Sequence, residues 1–361
     1  MTIRKTDEDA YFAASNSAGG FFSYYPQCFD ASRIRHVYAV KGGPGTGKSR
    51  FLRDVAKCAE GLGWKSEYIY CSSDPDSLDG VILTGKKDCI ALLDATAPHV
   101  YEPTRPGVRE DIVNLGSFWN VDILAEHASE IEALNAQKSA AYRQAYRFLA
   151  GLGNMTRTRD ELVAPFVRRE AIGRFAERLM RDIPDGMAYI ARPALMSSVG
   201  MRGEVSFDTY FRQAKRLYLI EDCRGSAQYL MDALGEIAVR KRLDMRLSHD
   251  PIEPEKIDAM LLCESGTAFV AVSPSHTCSY PHRTVSMRRF VETARMRSIR
   301  AALIYTERMR RAMLDGAIER MERIRETHFR IEEIYISAMD FDAKENFTKS
   351  FCDRLFDLQN S

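Results

Sequence analysis

Apolar residues along this chain fall into two regimes. In the first, short runs of strand formers end in polar or glycine-rich turns. Val37-Tyr38-Ala39-Val40, Ser66-Glu67-Tyr68-Ile69-Tyr70-Cys71 and Cys89-Ile90-Ala91-Leu92-Leu93-Asp94 are of this kind and predict strands. In the second, apolar side chains recur at helical spacing. Arg50 to Ala59 predicts a helix just after the first strand's turn, with Gly61 and Gly63 as its stop. Leu124, Ile131, Leu134, Tyr142, Ala145 and Leu149 mark a longer helix over 121–150, interrupted at Gly151 and Gly153. Leu162, Phe166, Val167, Ile172, Phe175 and Leu179 mark another over 159–181, stopped at Asp185 and Gly186. Together these predict a helical hairpin inserted over about 117–185. Residues 1–35 read as an irregular lead-in. Its aromatics Phe21, Phe22, Tyr24 and Tyr25 pack beside a base or cover a sheet edge.

The pattern then repeats. Leu217-Tyr218-Leu219-Ile220 echoes Val37-Tyr38-Ala39-Val40 at an offset of 180 residues. Tyr229 to Ala233 echoes Phe51 to Val55, and Ile257-Asp258-Ala259-Met260-Leu261 echoes Leu78-Asp79-Gly80-Val81-Ile82. Ser248-His249-Asp250-Pro251 is set against Ser72-Ser73-Asp74-Pro75, and Pro274-Ser275-His276 against Pro98-His99. A second long helical region is expected from Val285 to about Ile336, with a glycine break at Gly316. The predicted fold is α/β, with two tandem P-loop NTPase-like units. Each is a mostly parallel sheet flanked by helices and followed by a long helical hairpin. The boundaries expected are 1–200 and 201–361, with the two halves in contact as a pseudo-dimer.

Composition narrows the class. A hydrophobic fraction of 45% supplies ordinary packed cores, and 51 Lys and Arg nearly cancel 50 Asp and Glu. Net charge therefore gives no reason to expect nucleic acid or an anionic membrane as partner. The arginine-rich helices, interleaved with glutamates, read as solvated faces. The charged first ten residues lack a secretory apolar core and no later run is long enough to span a bilayer, so a cytoplasmic location is expected. Eight cysteines without a Cys-x-x-Cys pair predict reduced thiols, and His276, Cys278 and His282 match no zinc spacing.

Chemistry concentrates at residues 42–49: Gly42, Gly43, Pro44, Gly45, Thr46, Gly47, Lys48 and Ser49. This is G-x-x-x-x-G-K-[ST] between a strand and a helix, the setting in which glycine amides and a helix N-terminus cradle a polyphosphate. Lys48 supplies a charge between phosphates, and the Ser49 hydroxyl can bind Mg2+. Asp94, ending an apolar run, is the expected second magnesium residue. Ala95 follows it rather than a glutamate that would activate water. Asp74 or Asp76 orients a substrate or serves as a turn cap. His99, in the proline-rich polar connection over 96–106, lies near the phosphates and Arg105 or Arg109 neutralises developing charge, or all three are ordinary polar residues of a surface loop. In the second copy the loop reads Glu221-Asp222-Cys223-Arg224-Gly225-Ser226-Ala227, without the lysine and with two carboxylates. It is expected not to take a phosphate, while Arg224 is placed to reach the first copy's nucleotide.

On the loop 42–49, on Cys71 to Val81 and on Asp94-Ala95-Thr96-Ala97-Pro98-His99, the chain resembles a bacterial family of tandem P-loop proteins described as ATPases or nucleotide kinases. The resemblance spans nearly the full length and implies ATP or GTP with Mg2+. Family members often keep a recognisable loop in the second half also, from which residues 223–227 depart. The function expected is ATP-dependent hydrolysis or phosphoryl transfer, with Lys48, Asp94, Asp74 and His99 in the site and a small-molecule or protein acceptor. The alternatives are a nucleotide-dependent switch or scaffold and, ranked below it, an RNA or DNA binder.

Overall fold

The structure, a computed structural model, describes residues 2–4, 6, 8–30, 33–99 and 101–357. Met1, Lys5, Asp7, Ala31 and Ser32 of the expected lead-in, and Val100 of the polar connection, lie outside them. The chain opens with four short strands, β1 (Thr2–Arg4), β2 (Asp9–Phe12), β3 (Ala14–Ser17) and β4 (Gly20–Ser23), and a one-turn helix, α1 (Tyr25–Cys28). Next come β5 (His36–Lys41), α2 (Lys48–Gly61), β6 (Lys65–Tyr70), β7 (Leu78–Thr84), β8 (Cys89–Asp94) and β9 (Glu110–Asn114). Three helices follow: α3 (Val121–Glu126), α4 (Ala128–Val163) and α5 (Arg169–Met180).

The second copy then runs through β10 (Ile190–Pro193), β11 (Ser197–Gly200), β12 (Gly203–Phe207), α6 (Thr209–Gln213), β13 (Arg216–Glu221) and α7 (Ala227–Arg240). It continues with β14 (Asp244–His249), β15 (Ile257–Leu262), β16 (Thr267–Val272) and β17 (Arg283–Ser286), and ends on α8 (Arg300–Ser337) and α9 (Phe341–Asp357). Residues 1–35 are thus not an irregular lead-in. Their hairpin β3–β4 and helix α1 are the first copy's versions of β11–β12 and α6.

Each copy builds a six-stranded mixed sheet flanked by helices, in the orders β2-β6-β7-β8-β5-β9 and β10-β14-β15-β16-β13-β17. The central strands β5 and β13 are parallel to both neighbours, while β6, β7 and β8 alternate in direction, as do β14, β15 and β16. A register shift follows Ile69 in one copy and Ser248 in the other. The correspondence is thereby fixed at 179 residues in this region. Asp74 is matched by Glu253, whose carbonyls receive the Ser77 and Lys256 amides, and not by Asp250 as the sequence alignment has it.

The two sheets turn one face toward each other over a shared core that includes Phe12, Tyr25, Val37, Leu195, Phe211 and Leu217. At its centre Phe12 and Leu195 exchange both backbone hydrogen bonds, at 2.8 and 2.9 Å. These are equivalent residues of the two copies, so a pseudo-twofold axis passes between them. The outer face of each sheet is covered crosswise. Helix α9 of the second copy packs Phe351 and Leu355 with Phe51 and Val40 on the first sheet, while α5 of the first copy packs Ile172 and Phe175 with α7 on the second. The long helices α4 and α8, each about 55 Å at 1.5 Å per residue, run antiparallel and carry the exchange through Ala145, Leu149, Ala317 and Met321.

The glycines expected to interrupt these helices do not. Helix α4 runs through Gly151 and Gly153, and α8 through Gly316. A methyl group on Gly153 would stand 2.5 Å from the Ala18 Cβ, and one on Gly316 2.5 Å from the Phe148 ring. Their role is close approach between packed elements.

Candidate functional site

Strand β5 delivers the loop 42–49 at its carboxyl end, and α2 begins at Lys48 with no side-chain cap on its first amides. Gly45 and Gly47 take left-handed conformations, φ 71° and 75°, that a side chain would strain. The Lys48 ammonium folds back to donate to the Gly42 and Gly43 carbonyls, at 2.7 Å each, and lies 3.5 Å from Asp94 Oδ2. Asp94 ends β8, which pairs directly with β5 so that Asp94 stands opposite Val40. Its other oxygen accepts from the Thr96 amide at 2.8 Å. Burial raises the Asp94 carboxyl above the usual carboxylate range; Lys48 opposes this and Asp79 adds to it. The Ser49 hydroxyl accepts from the Leu78 amide at 2.9 Å, which leaves its proton and one lone pair free. Ser49 and Asp94 both carry oxygen donors of the kind that Mg2+ takes.

Elements of the second copy cover this loop. A methyl group on Gly43 would stand 3.2 Å from the Tyr335 and Trp119 rings, and one on Gly45 2.7 Å from the Glu332 carbonyl. The Glu332 carboxylate lies near the Gly45 amide. Burial opposes its charge, yet His328, 3.5 Å away, and that amide hold it below the ordinary glutamate range. Beside Gly47 sits Lys344 of α9, 1% exposed, its ammonium 3.7 Å from where a Gly47 Cβ would be. Among the described residues no hydrogen bond or ion pair holds that ammonium, and burial lowers its pKa. Sequence reasoning missed both Glu332 and Lys344, because neither lies near the loop in the chain.

The remaining expected residues fall into two groups. Asp74 and His99 do lie at the loop end of the first sheet. Asp74, raised by burial, is close enough to His328 of α8 to be partly offset by it. His99 is 3.0 Å from Asp79 and stacks on Tyr25, with Phe21 at its edge. Those aromatics therefore pack on a histidine in the inter-sheet core rather than at a sheet edge. Arg105 and Arg109 do not reach the loop 42–49. Glu110 pairs with Val37 at the start of β5, so Arg109 lies beyond the end of the sheet remote from the loop, about 13 Å along a strand. Arg224 is not the residue that faces the first loop either. The facing groups come from α8 and α9, and the loop of Arg224 instead abuts Arg159 and Asp160 of α4.

In the second copy the Asp222 carboxylate accepts twice, from the Gly225 amide at 2.7 Å and the Ala227 amide at 2.8 Å. The chain's own carboxylate thus occupies the amides that a phosphate would use. A cavity of about 1030 Å³ opens at this end of the second sheet, lined in part by Asp222, Asp258, His276, Arg159 and Arg310. Burial raises Asp258 to about 6 there.

No family model, curated protein or solved structure matches this chain. Among the described residues, no helix is long and apolar enough to cross a membrane. All eight cysteines carry free thiols.

Proposed function

We propose that residues 42–49 bind the triphosphate of ATP or GTP, with Mg2+ held by Ser49 and Asp94, and that the first copy hydrolyses the nucleotide or transfers its phosphoryl group. The observation that carries this reading is a contrast between the copies. Helix α2 begins uncapped with Lys48 at its start and the unpartnered Lys344 ammonium beside it, whereas the equivalent amides at α7 are taken by Asp222. Two cations at an uncapped helix N-terminus suit a polyanion. Asp74 and His99 stand nearby and are the candidates for handling the acceptor. The likeness to tandem P-loop ATPases and nucleotide kinases points the same way.

Titration of the purified chain with MgATP and MgGTP tests it. Lys48→Ala should weaken binding about 30-fold or more, the scale on which loss of a charged partner acts. Undiminished affinity in that variant, or no binding by the unaltered chain, would overturn the assignment.

One observation favours a second reading, a nucleotide-dependent switch with little turnover. The Glu332 carboxylate lies near Gly45, so a phosphate entering the cradle meets a negative charge carried on α8. Nucleotide-dependent protease protection of α8 without phosphate release would support the switch; steady turnover with a small-molecule acceptor would support the enzyme.

A further inference from the structure

Three consecutive strands of the first sheet bring a thiol, a carboxylate and an imidazole to one point. Cys71 follows β6 directly, Asp79 is the second residue of β7, and His99 lies five residues beyond the end of β8. The register shift after Ile69 sets Tyr70 opposite Leu78 and so places Cys71 and Asp79 at the same sheet end. Their ligand atoms lie within 4.8 Å of one another. His99 and Asp79 are buried, at 6% and 5% exposure. One histidine nitrogen faces Asp79 at 3.0 Å, and the other, Nδ1, is enclosed without a partner.

A nucleophilic triad does not fit this geometry. There the imidazole stands between thiol and carboxylate, which are then well apart. Here the donors form a triangle, with Cys71 and Asp79 as close to each other as the spacing within the group. Negative charge also accumulates, since Asp74, Asp79 and Asp94 all act on this corner. The second copy retains donors at the equivalent positions, Asp250, Asp258 and His276, but disperses them. Asp250 accepts from the Ile252 and Glu253 amides, and His276 stacks on Phe211.

We infer that Cys71, Asp79 and His99 form a binding site for one divalent transition-metal ion of the zinc type. A mixed sulfur, nitrogen and oxygen set suits such a borderline-soft ion, and three protein ligands leave a fourth position open for water or substrate. Ligands about 2.0–2.3 Å from the ion require the triangle to tighten somewhat from its metal-free spacing. On binding, the ion displaces the proton between His99 Nε2 and Asp79 and that of the Cys71 thiol, both passing to solvent, while the ring keeps one proton on Nδ1. The site shares no ligand with the Ser49 and Asp94 pair, although Asp94 acts on His99, and the metal inference does not depend on the nucleotide reading. Its stoichiometry is one ion per chain.

The full-length chain, purified without chelator and after growth in zinc-supplemented medium, should carry about one equivalent of zinc by elemental analysis. Stripped and titrated with Co2+, it should show a thiolate-to-cobalt charge-transfer band. Cys71→Ser should abolish the band and weaken Co2+ binding at least ~10-fold, more than loss of a supporting outer-shell group. Cys58→Ser, which alters an exposed thiol on α2, should leave both unchanged. His99→Ala and Asp79→Asn should weaken Co2+ binding with circular dichroism intact. A stripped chain that binds Co2+ without the band, or a folded Cys71→Ser chain that binds as the unaltered one does, overturns the inference. If the variants do not fold, the unaltered chain decides: no metal as purified and no band on titration refute the site.

Discussion

Asp258 shows what the second copy has lost and what that costs. Ser197 donates to one of its oxygens at 3.1 Å, the other is enclosed without a partner, and burial raises its pKa from 3.8 to about 6. The folded chain therefore keeps this proton up to about pH 6, while the unfolded chain releases it near 3.8. The group favours folding fully below 3.8, and that contribution is lost as pH rises through 6. Asp258→Asn holds the neutral form throughout. It should stabilise the protein by about 1–3 kcal/mol above pH 7 and leave it unchanged near pH 4, the scale set by a shift of about two pKa units. Urea unfolding of both chains at the two pH values checks this, and equal stabilities at pH 8 would exclude it. Lys344 carries the complementary prediction for the first copy. Lys344→Met should weaken MgATP binding about tenfold while raising stability, because it removes a cation that burial disfavours.

The loop 42–49 and Asp94 were legible in sequence because their parts are contiguous or end an apolar strand. Asp79 was not. Leu78 and Asp79 follow the polar stretch 72–77 in the chain, yet they begin a buried strand. The signal available was the repeat itself, since Asp258 stands at the same offset as its apolar neighbours.

At the scale of elements, the glycines in α4 and α8 carry the main correction. Read along the chain, a glycine in a helical pattern is a weak point, and alanine there usually gains about 1 kcal/mol. Gly153 reverses the sign. Its Cα faces the turn between β3 and β4, where Ala18 leaves no room for a methyl group. Gly153→Ala should destabilise by about 1–3 kcal/mol through overpacking, read as a lowered urea midpoint. A gain in stability would show that the contact relaxes without cost. Gly173, with open space around it in α5, is the control, and Gly173→Ala should stabilise. Local composition registers helix propensity but not which neighbour approaches.

For the whole molecule, sequence disclosed the duplication but not the crosswise packing. The hairpins α4–α5 and α8–α9 each bear an amphipathic final helix, and the two sheets offer similar apolar faces to receive them. Nothing in periodicity states which sheet a hairpin covers. The exchange makes a sharp prediction for a fragment of residues 1–185. Alone it lacks α9 over Phe51 and leaves the apolar face of α5 without its sheet. It should sediment as a dimer, each chain's α5 on the other's sheet, or remain unfolded. A stable monomer that binds nucleotide as the full chain does would contradict the arrangement.

The reciprocal pair of Phe12 and Leu195 has one further consequence. Two identical subunits meeting on such an axis share every substitution, so a change that fills one such loop fills both. Here the subunits are written in tandem, and residues 181–189 tether them. Their union is intramolecular and does not weaken on dilution. Each half is also free to diverge alone. Asp222 can close its own cradle while Gly42, its counterpart, keeps the other open, and the closed half still lends Lys344 to its sister. Tethering has turned a symmetric pair into a division of labour.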